Sequence, residues 1–116
     1  MTSVTRHTQL EPVRPDNAVL LFVDQQEGWF SRIHAPQQTR GNVLALARSA
    51  RLLGIPAVLT TAPAAGPNGP QLPELTDTFA GQEIIDRTLI NAWHDRRVHE
   101  AITNTGRKGD HRGHRP

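Results

Sequence analysis

The sequence of 116 residues contains no cysteine and no tyrosine, a single lysine, and only three Phe and two Trp as large aromatics. The missing cysteine excludes disulfides, zinc-thiolate sites and a thiol nucleophile within these residues. Long hydrophobic runs are missing too. The longest uninterrupted apolar stretch is Ala18–Val23, whereas a bilayer-spanning helix needs about 20 apolar residues. Residues 1–10 carry no apolar signal-peptide segment. A soluble, cytoplasmic chain with no membrane partner is the expectation.

The charge balance is uneven along the chain. Thirteen Lys and Arg face eleven Asp and Glu, and the basic excess sits in residues 107–116 (RKGDHRGHRP), which leaves residues 1–106 near neutrality. The sequence pI of about 10.4 overstates basicity, because twelve of the thirteen basic residues are Arg and neither Tyr nor Cys buffers at high pH. The basic tail has no interleaved aromatics, so no nucleic-acid partner is expected. Leu, Ile, Val and Phe number 27, above the range of about 20% of residues below which chains stay disordered. That is enough for one small domain or part of a larger one.

Residues 1–17 are polar, hold Pro12 and Pro15 and show no sustained periodicity, which predicts an extended or mobile lead-in. Ala18–Val23 then reads as a strand buried on both faces of a parallel sheet. Thr39 is placed to cap a helix with an apolar face of Val43, Leu46, Ala47, Ala50 and Leu53, stopped by Gly54. Ala57–Thr61 predicts a second strand, and strand-helix-strand implies parallel pairing. Residues 62–70 (APAAGPNGP) lack the donors and the restraint for regular structure and predict a loop. Leu72, Leu75 and Phe79 fit a short helix. Residues 83–86 form a third strand ending at Arg87, and Trp93, Val98, Ala101 and Ile102 give a stripe for a helix stopped at Gly106. The fold class is an incomplete three-layer, Rossmann-like α/β domain over residues 18–106. Residues 107–116 are expected to be a disordered tail, because no large apolar residue follows Ile102. The alternation calls for a fourth apolar strand there and does not receive one.

Asp24 and Arg87 stand at the carboxyl ends of the first and third strands, the edge where open α/β sheets place ligands. A structural ion pair is the bland alternative, and spacing alone does not choose between them. The wording of the sequence says more. Leu21-Phe22-Val23-Asp24-Gln25-Gln26, Asn42-Val43-Leu44-Ala45-Leu46-Ala47, Leu53-Gly54-Ile55-Pro56, Leu59-Thr60-Thr61, Gly66-Pro67-Asn68-Gly69-Pro70, Pro73-Glu74-Leu75, and Arg87 followed by Ile90-Asn91-Ala92-Trp93 together resemble the isochorismatase-like cysteine hydrolases, and within them a YcaC-like branch. The similarity runs from about residue 17 to residue 108.

The resemblance implies a site combining an Asp, a Lys or Arg, and a Cys nucleophile that acts on carbon-nitrogen bonds of small amides. It also implies homo-oligomers among intact relatives. Asp24 matches the Asp, which accepts the thiol proton, and Arg87 matches the basic member. A cation near the thiol favours thiolate, and an ionised carboxylate is needed to take its proton. Family members that bind a metal through Asp and His beside the first strand find no match here, since Gln25 and Gln26 are poor ligands. No metal and no cofactor are implied.

The nucleophile of the family follows a fourth strand lying beside the first. By this resemblance Ala18–Val23 is expected to be left as an exposed, association-prone edge. Residues 109–116 can be encoded as GGN GAY CAY CGN GGN CAY CGN CCN, and reading one nucleotide later permits Val-Ile-Ile-Ala-Gly-Ile-Ala, the apolar strand the alternation demands. The expectation is an out-of-frame tail from about residue 109 and a truncated, inactive member of the family. The alternative is a non-catalytic binding or oligomer-interface fragment of a full-length homologue.

Other constellations carry less. His94 and His99 are five apart, off the helical spacing of paired metal ligands, and His111 and His114 suit only adventitious metal binding. Trp29 and Phe30 line a cleft, meet a subunit or pack in the core. Asn68 serves a ligand or its own turn.

Overall fold

The computed structural model describes residues 2–6 and 12–107. One sheet of four strands runs in the order β1 (Thr2–Arg6), β2 (Ala18–Val23), β3 (Ala57–Thr61), β4 (Ile84–Asp86). The strands β2, β3 and β4 are parallel, as the strand-helix-strand pattern predicts, with Leu20 opposite Ala57 and Thr60 opposite Ile85. The alternation of side chains sends Leu20, Phe22 and Leu59 to one face and Val19, Leu21, Val58 and Ile85 to the other. Each face is roofed by helices. Helices α2 (Pro36–Leu53) and α3 (Pro73–Thr78) cover the first, and α4 (Arg96–Asn104) covers the second through Val98 and Ile102. A four-residue helix α1 (Glu27–Phe30) follows β2. Among the described residues no helix is long and apolar enough to cross a membrane.

Four expectations are corrected. The lead-in contains a strand: β1 pairs antiparallel with β2, Val4 standing opposite Leu20. The β2 edge expected to lie open is therefore covered. Unpaired backbone groups along β2 attract any extended segment within reach, and Thr2, Val4 and Thr5 are β-branched residues suited to extension. A polar strand of this kind has no apolar alternation to betray it.

The second correction is where α2 begins. It starts at Pro36, with Ala35 in the left-handed region at φ 51° and no side-chain cap, rather than from a Thr39 cap; Pro at the first helical position needs no intrahelical donor. The third is its face. Ala47 and Ala50 are buried as expected, together with Leu44, while Leu46 and Leu53 are 38% and 59% exposed. Small Ala47 and Ala50 let the helix lie close on Leu20 and Leu59, and branched Leu at those positions would hold it off. Fourth, Trp93 belongs to a short 3₁₀ turn (Ala92–His94) ahead of α4, which is capped instead by Asp95 accepting from the Arg97 N–H at 2.8 Å. The Arg97 side chain holds the Asp95 carboxyl below the usual carboxylate range. The proposed tail beyond Arg107 lies outside the described residues.

The remaining helix packing follows the sequence. Leu72, Leu75 and Phe79 are buried at and around α3. Arg40 of α2 clamps α1 and α3 by meeting Glu27 at 2.7 Å and Glu74 at 2.5 Å, and the carboxyl of Glu74 is lowered by that contact. All three side chains are partly solvated, so the clamp orients the helices more than it stabilises them.

Deleting residues 1–6 is expected to increase the association of the chain with rising concentration, because β2 then presents its unpaired backbone. Light scattering across a concentration series checks this; an unchanged mass would show that β1 does not shield the edge.

Candidate functional site

Asp24 follows the last residue of β2, and its backbone N–H donates to the Thr60 carbonyl at 3.0 Å. Arg87 follows β4, and its N–H donates to the Thr61 carbonyl at 2.9 Å. The parallel ladder thus extends one residue past each strand and fixes both residues at the same carboxyl edge. Asp24 has φ 59°, a left-handed conformation that a short polar residue tolerates better than most. The chain leaves the sheet sharply at this point.

The structure brings the two candidate residues into one contact. Arg87 Nη1 donates to Asp24 Oδ1 at 2.7 Å and Nη2 donates to Oδ2 at 3.2 Å, a fork-to-fork pair. Nη1 also reaches the Thr60 hydroxyl at 3.3 Å, and Nη2 the Ile90 carbonyl at 3.1 Å. Thr60 in turn donates its hydroxyl to the Ile85 carbonyl at 2.8 Å, tying β3 to β4 beneath the pair. Nε of Arg87 is buried without a partner.

Burial divides the pair unequally: the Arg87 side chain is 2% exposed and that of Asp24 is 31%. The guanidinium is a fixed interior charge, and the carboxylate neutralises it while keeping one side open. Each carboxylate oxygen offers two lone pairs and spends one on Arg87, which leaves capacity to accept a proton or hydrogen bond from a ligand.

The loop 62–70 borders this edge and is fastened on two sides. The buried Gln26 side chain bonds to Ala62 and Gly69, and Asp86 Oδ1 accepts from the Ala64 N–H at 2.9 Å and the Thr61 hydroxyl at 2.7 Å. The N–H of Gly28 donates to the Asn68 carbonyl at 2.7 Å. A Cβ on Gly28 would stand 2.3 Å from the Pro67 carbonyl oxygen, so the close approach requires glycine.

The lesser candidates find other employment. Asn68 accepts from Arg32 through its side chain. Phe30 is buried in the core and Trp29 meets it edge-on, ring centroids 5.1 Å apart. His99 lies against Trp93 at 4.3 Å. Among the described residues no three His, Asp or Glu side chains converge as a metal site.

Sequence reasoning missed the supporting roles of Gln26, Thr60 and Asp86. Their signal was faint: two Gln directly after an apolar strand, at a position where solvent-facing polar residues are ordinary.

The Isochorismatase domain family matches residues 18–109. The probable hydrolase YcaC of Escherichia coli (strain K12) is 38% identical over 96 residues, covering 80% of this chain and 46% of that protein. The crystal structure of the E. coli YcaC gene product, described as an octameric hydrolase of unknown specificity, superposes with a TM-score of 0.76 at 38% identity, over 84% of this chain and 51% of that one. YcaC from Pseudomonas aeruginosa, solved with hexane-2,5-diol and covalent acrylamide, gives a TM-score of 0.77 at 39% identity, over 87% and 52%. The chain spans about half the length of the relatives it matches.

Asp24→Ala is expected to destabilise the fold by about 3–5 kcal/mol, since it strands a buried guanidinium. Asp24→Gly should lose about 1 kcal/mol less, because glycine relieves the left-handed backbone. Urea unfolding of both variants checks the order; equal losses would remove the strain argument.

Proposed function

The chain belongs to the isochorismatase domain family, and from that premise we propose that Asp24 and Arg87 are the proton-accepting and cationic members of a hydrolase site for small amides. The fork-to-fork contact between a buried Arg87 and a partly open Asp24 carries this reading. In the proposed reaction a thiol gives its proton to the Asp24 carboxylate, and the resulting thiolate attacks the amide carbon. The amine then leaves with a proton returned from Asp24, and water hydrolyses the acyl thioester. Arg87 contributes fixed positive charge that orients the carboxylate throughout, and it does not itself transfer the proton. The covalent acrylamide of the Pseudomonas relative is a small amide, which agrees with this class of ligand.

The 116 residues contain no thiol, so on this reading they bind but do not turn over an amide. Titrating the chain with nicotinamide is expected to shift the backbone NMR signals of Asp24, Thr61 and Arg87 at millimolar concentration, about −4 kcal/mol of binding, without release of ammonia. Asp24→Asn should abolish the shifts. Turnover that depends on Asp24, or a titration that leaves all three signals still, overturns the proposal.

A second reading, a self-associating fragment, is favoured by one observation: Leu89, Ile90 and Trp93 are 48%, 97% and 38% exposed beside Arg87. Solvent-facing apolar clusters of this kind mark contact surfaces, and the E. coli relative is an octamer. If this surface joins copies, Ile90→Asp lowers the mass measured by sedimentation while leaving the fold intact; an unchanged mass excludes that surface.

A further inference from the structure

Gln26 is wholly buried, and its side-chain amide makes three hydrogen bonds to backbone. Oε1 accepts from the Ala62 N–H at 2.9 Å, and Nε2 donates to the Ala62 carbonyl at 3.1 Å and the Gly69 carbonyl at 2.5 Å. Ala62 and Gly69 bound one loop, so a single side chain closes both of its ends. A primary amide offers an acceptor and two donors on one uncharged planar group, where a neutral carboxylic acid has a single donor, and Asn is one methylene too short to occupy the same place. The loop supplies few alternatives. Pro63, Pro67 and Pro70 have no N–H, and its internal bonds are two tight turns, Gly66 N–H to the Pro63 carbonyl and Gly69 N–H to the Gly66 carbonyl.

The clasp is joined to the ion pair on both sides. The Gln26 N–H donates to the Asp24 carbonyl at 2.9 Å, so the residue that grips the loop also closes the turn that carries the carboxylate. On the other side Asp86, the neighbour of Arg87, grips the same loop through Ala64. We propose that Gln26 is a positioning residue: it locks loop 62–70 to the Asp24 turn so that loop and ion pair form one rigid wall of the site. This rests on the preceding assignment of the Asp24–Arg87 pair as that site. A buried Gln that merely stabilises the loop would leave the ion pair undisturbed when its bonds are altered; a positioning residue transmits the change to Arg87.

Gln26→Glu separates the two. As a carboxylate the new side chain accepts from Ala62 but donates to neither carbonyl, and as a neutral acid it regains one donor. NMR hydrogen exchange at the Gly69 and Gly28 amides, together with the side-chain signals of Arg87, is followed from pH 8 to pH 4. The parent chain over the same range gives the baseline for Asp24, Glu27 and Asp86. The expected result is a loss of protection of about tenfold at high pH, recovered on acidification, with the Arg87 signals moving along the same titration curve. Loop protection that titrates while the Arg87 signals stay fixed overturns the proposal, as does protection equal to the parent at every pH. If Gln26→Glu folds only in acid, Gln26→Asn supplies the neutral test: it should loosen the loop and shift Arg87 at every pH, and a shifted loop with unmoved Arg87 again overturns the idea. None of these readouts uses a ligand, so failure of the nicotinamide titration and failure of the clasp are separate outcomes.

Discussion

A guanidinium with almost no contact with water has to be met by charge and hydrogen bonds where it lies, and the architecture of the carboxyl edge follows from that demand. Asp24 answers the charge of Arg87, while Thr60 and the Ile90 carbonyl take further donors. The meeting is possible because β2, β3 and β4 are parallel and in a register that carries residues 24 and 87 off the same end of the sheet on either side of Thr60 and Thr61. A slip of one residue would turn either side chain to the opposite face of the sheet. The two helical layers matter to the site chiefly because they hold that register, each side of the sheet being committed to its own apolar cluster.

The edge is completed by a loop that regular structure could not have provided. Residues 62–70 are too rich in Pro and Gly to satisfy their own backbone, so their polar groups are met from outside by Gln26, Gly28, Glu27 and Asp86. Three of those four belong to the segment directly after β2, and the fourth precedes Arg87. The loop is thereby referenced to the same two strand ends as the ion pair. The groups that fix the loop are neighbours in sequence of the groups that form the pair.

Much of this is legible in the sequence itself. Ala18–Val23 announced itself because a strand covered on both faces reads as an unbroken apolar run, and the Leu72, Leu75 and Phe79 spacing located α3. Asp24 and Arg87 stand out by placement at strand ends combined with the wording around them, and the structure brings the two into contact. What stayed hidden depended on distant partners. Gln26 looks like any polar residue after a strand, and its bonds reach 36 and 43 residues along the chain. On α2 the pattern places Ala47 and Ala50 correctly on the buried face but adds Leu46 and Leu53 and omits Leu44, because periodicity weighs every Leu as core while the sheet turns Leu46 and Leu53 outward. β1 escaped because its pairing is a matter of backbone groups, to which hydropathy is blind.

The inequality within the ion pair bears on what the site can do. Arg87 is held on several sides and cannot exchange its role with Asp24, and its planar fork fixes the plane of the carboxylate opposite. Asp24 keeps part of its surface toward solvent, so its carboxylate is open on one side while the guanidinium is enclosed. An isolated structural salt bridge has no need of that asymmetry; both partners could be equally exposed or equally buried. In the proposed reaction an open acceptor set against a closed cation lets the acceptor receive a proton while its orientation stays constant. In the proposed reaction Asp24 is the receiving group, and the relatives, of whose length the chain spans about half, have room for the group that gives.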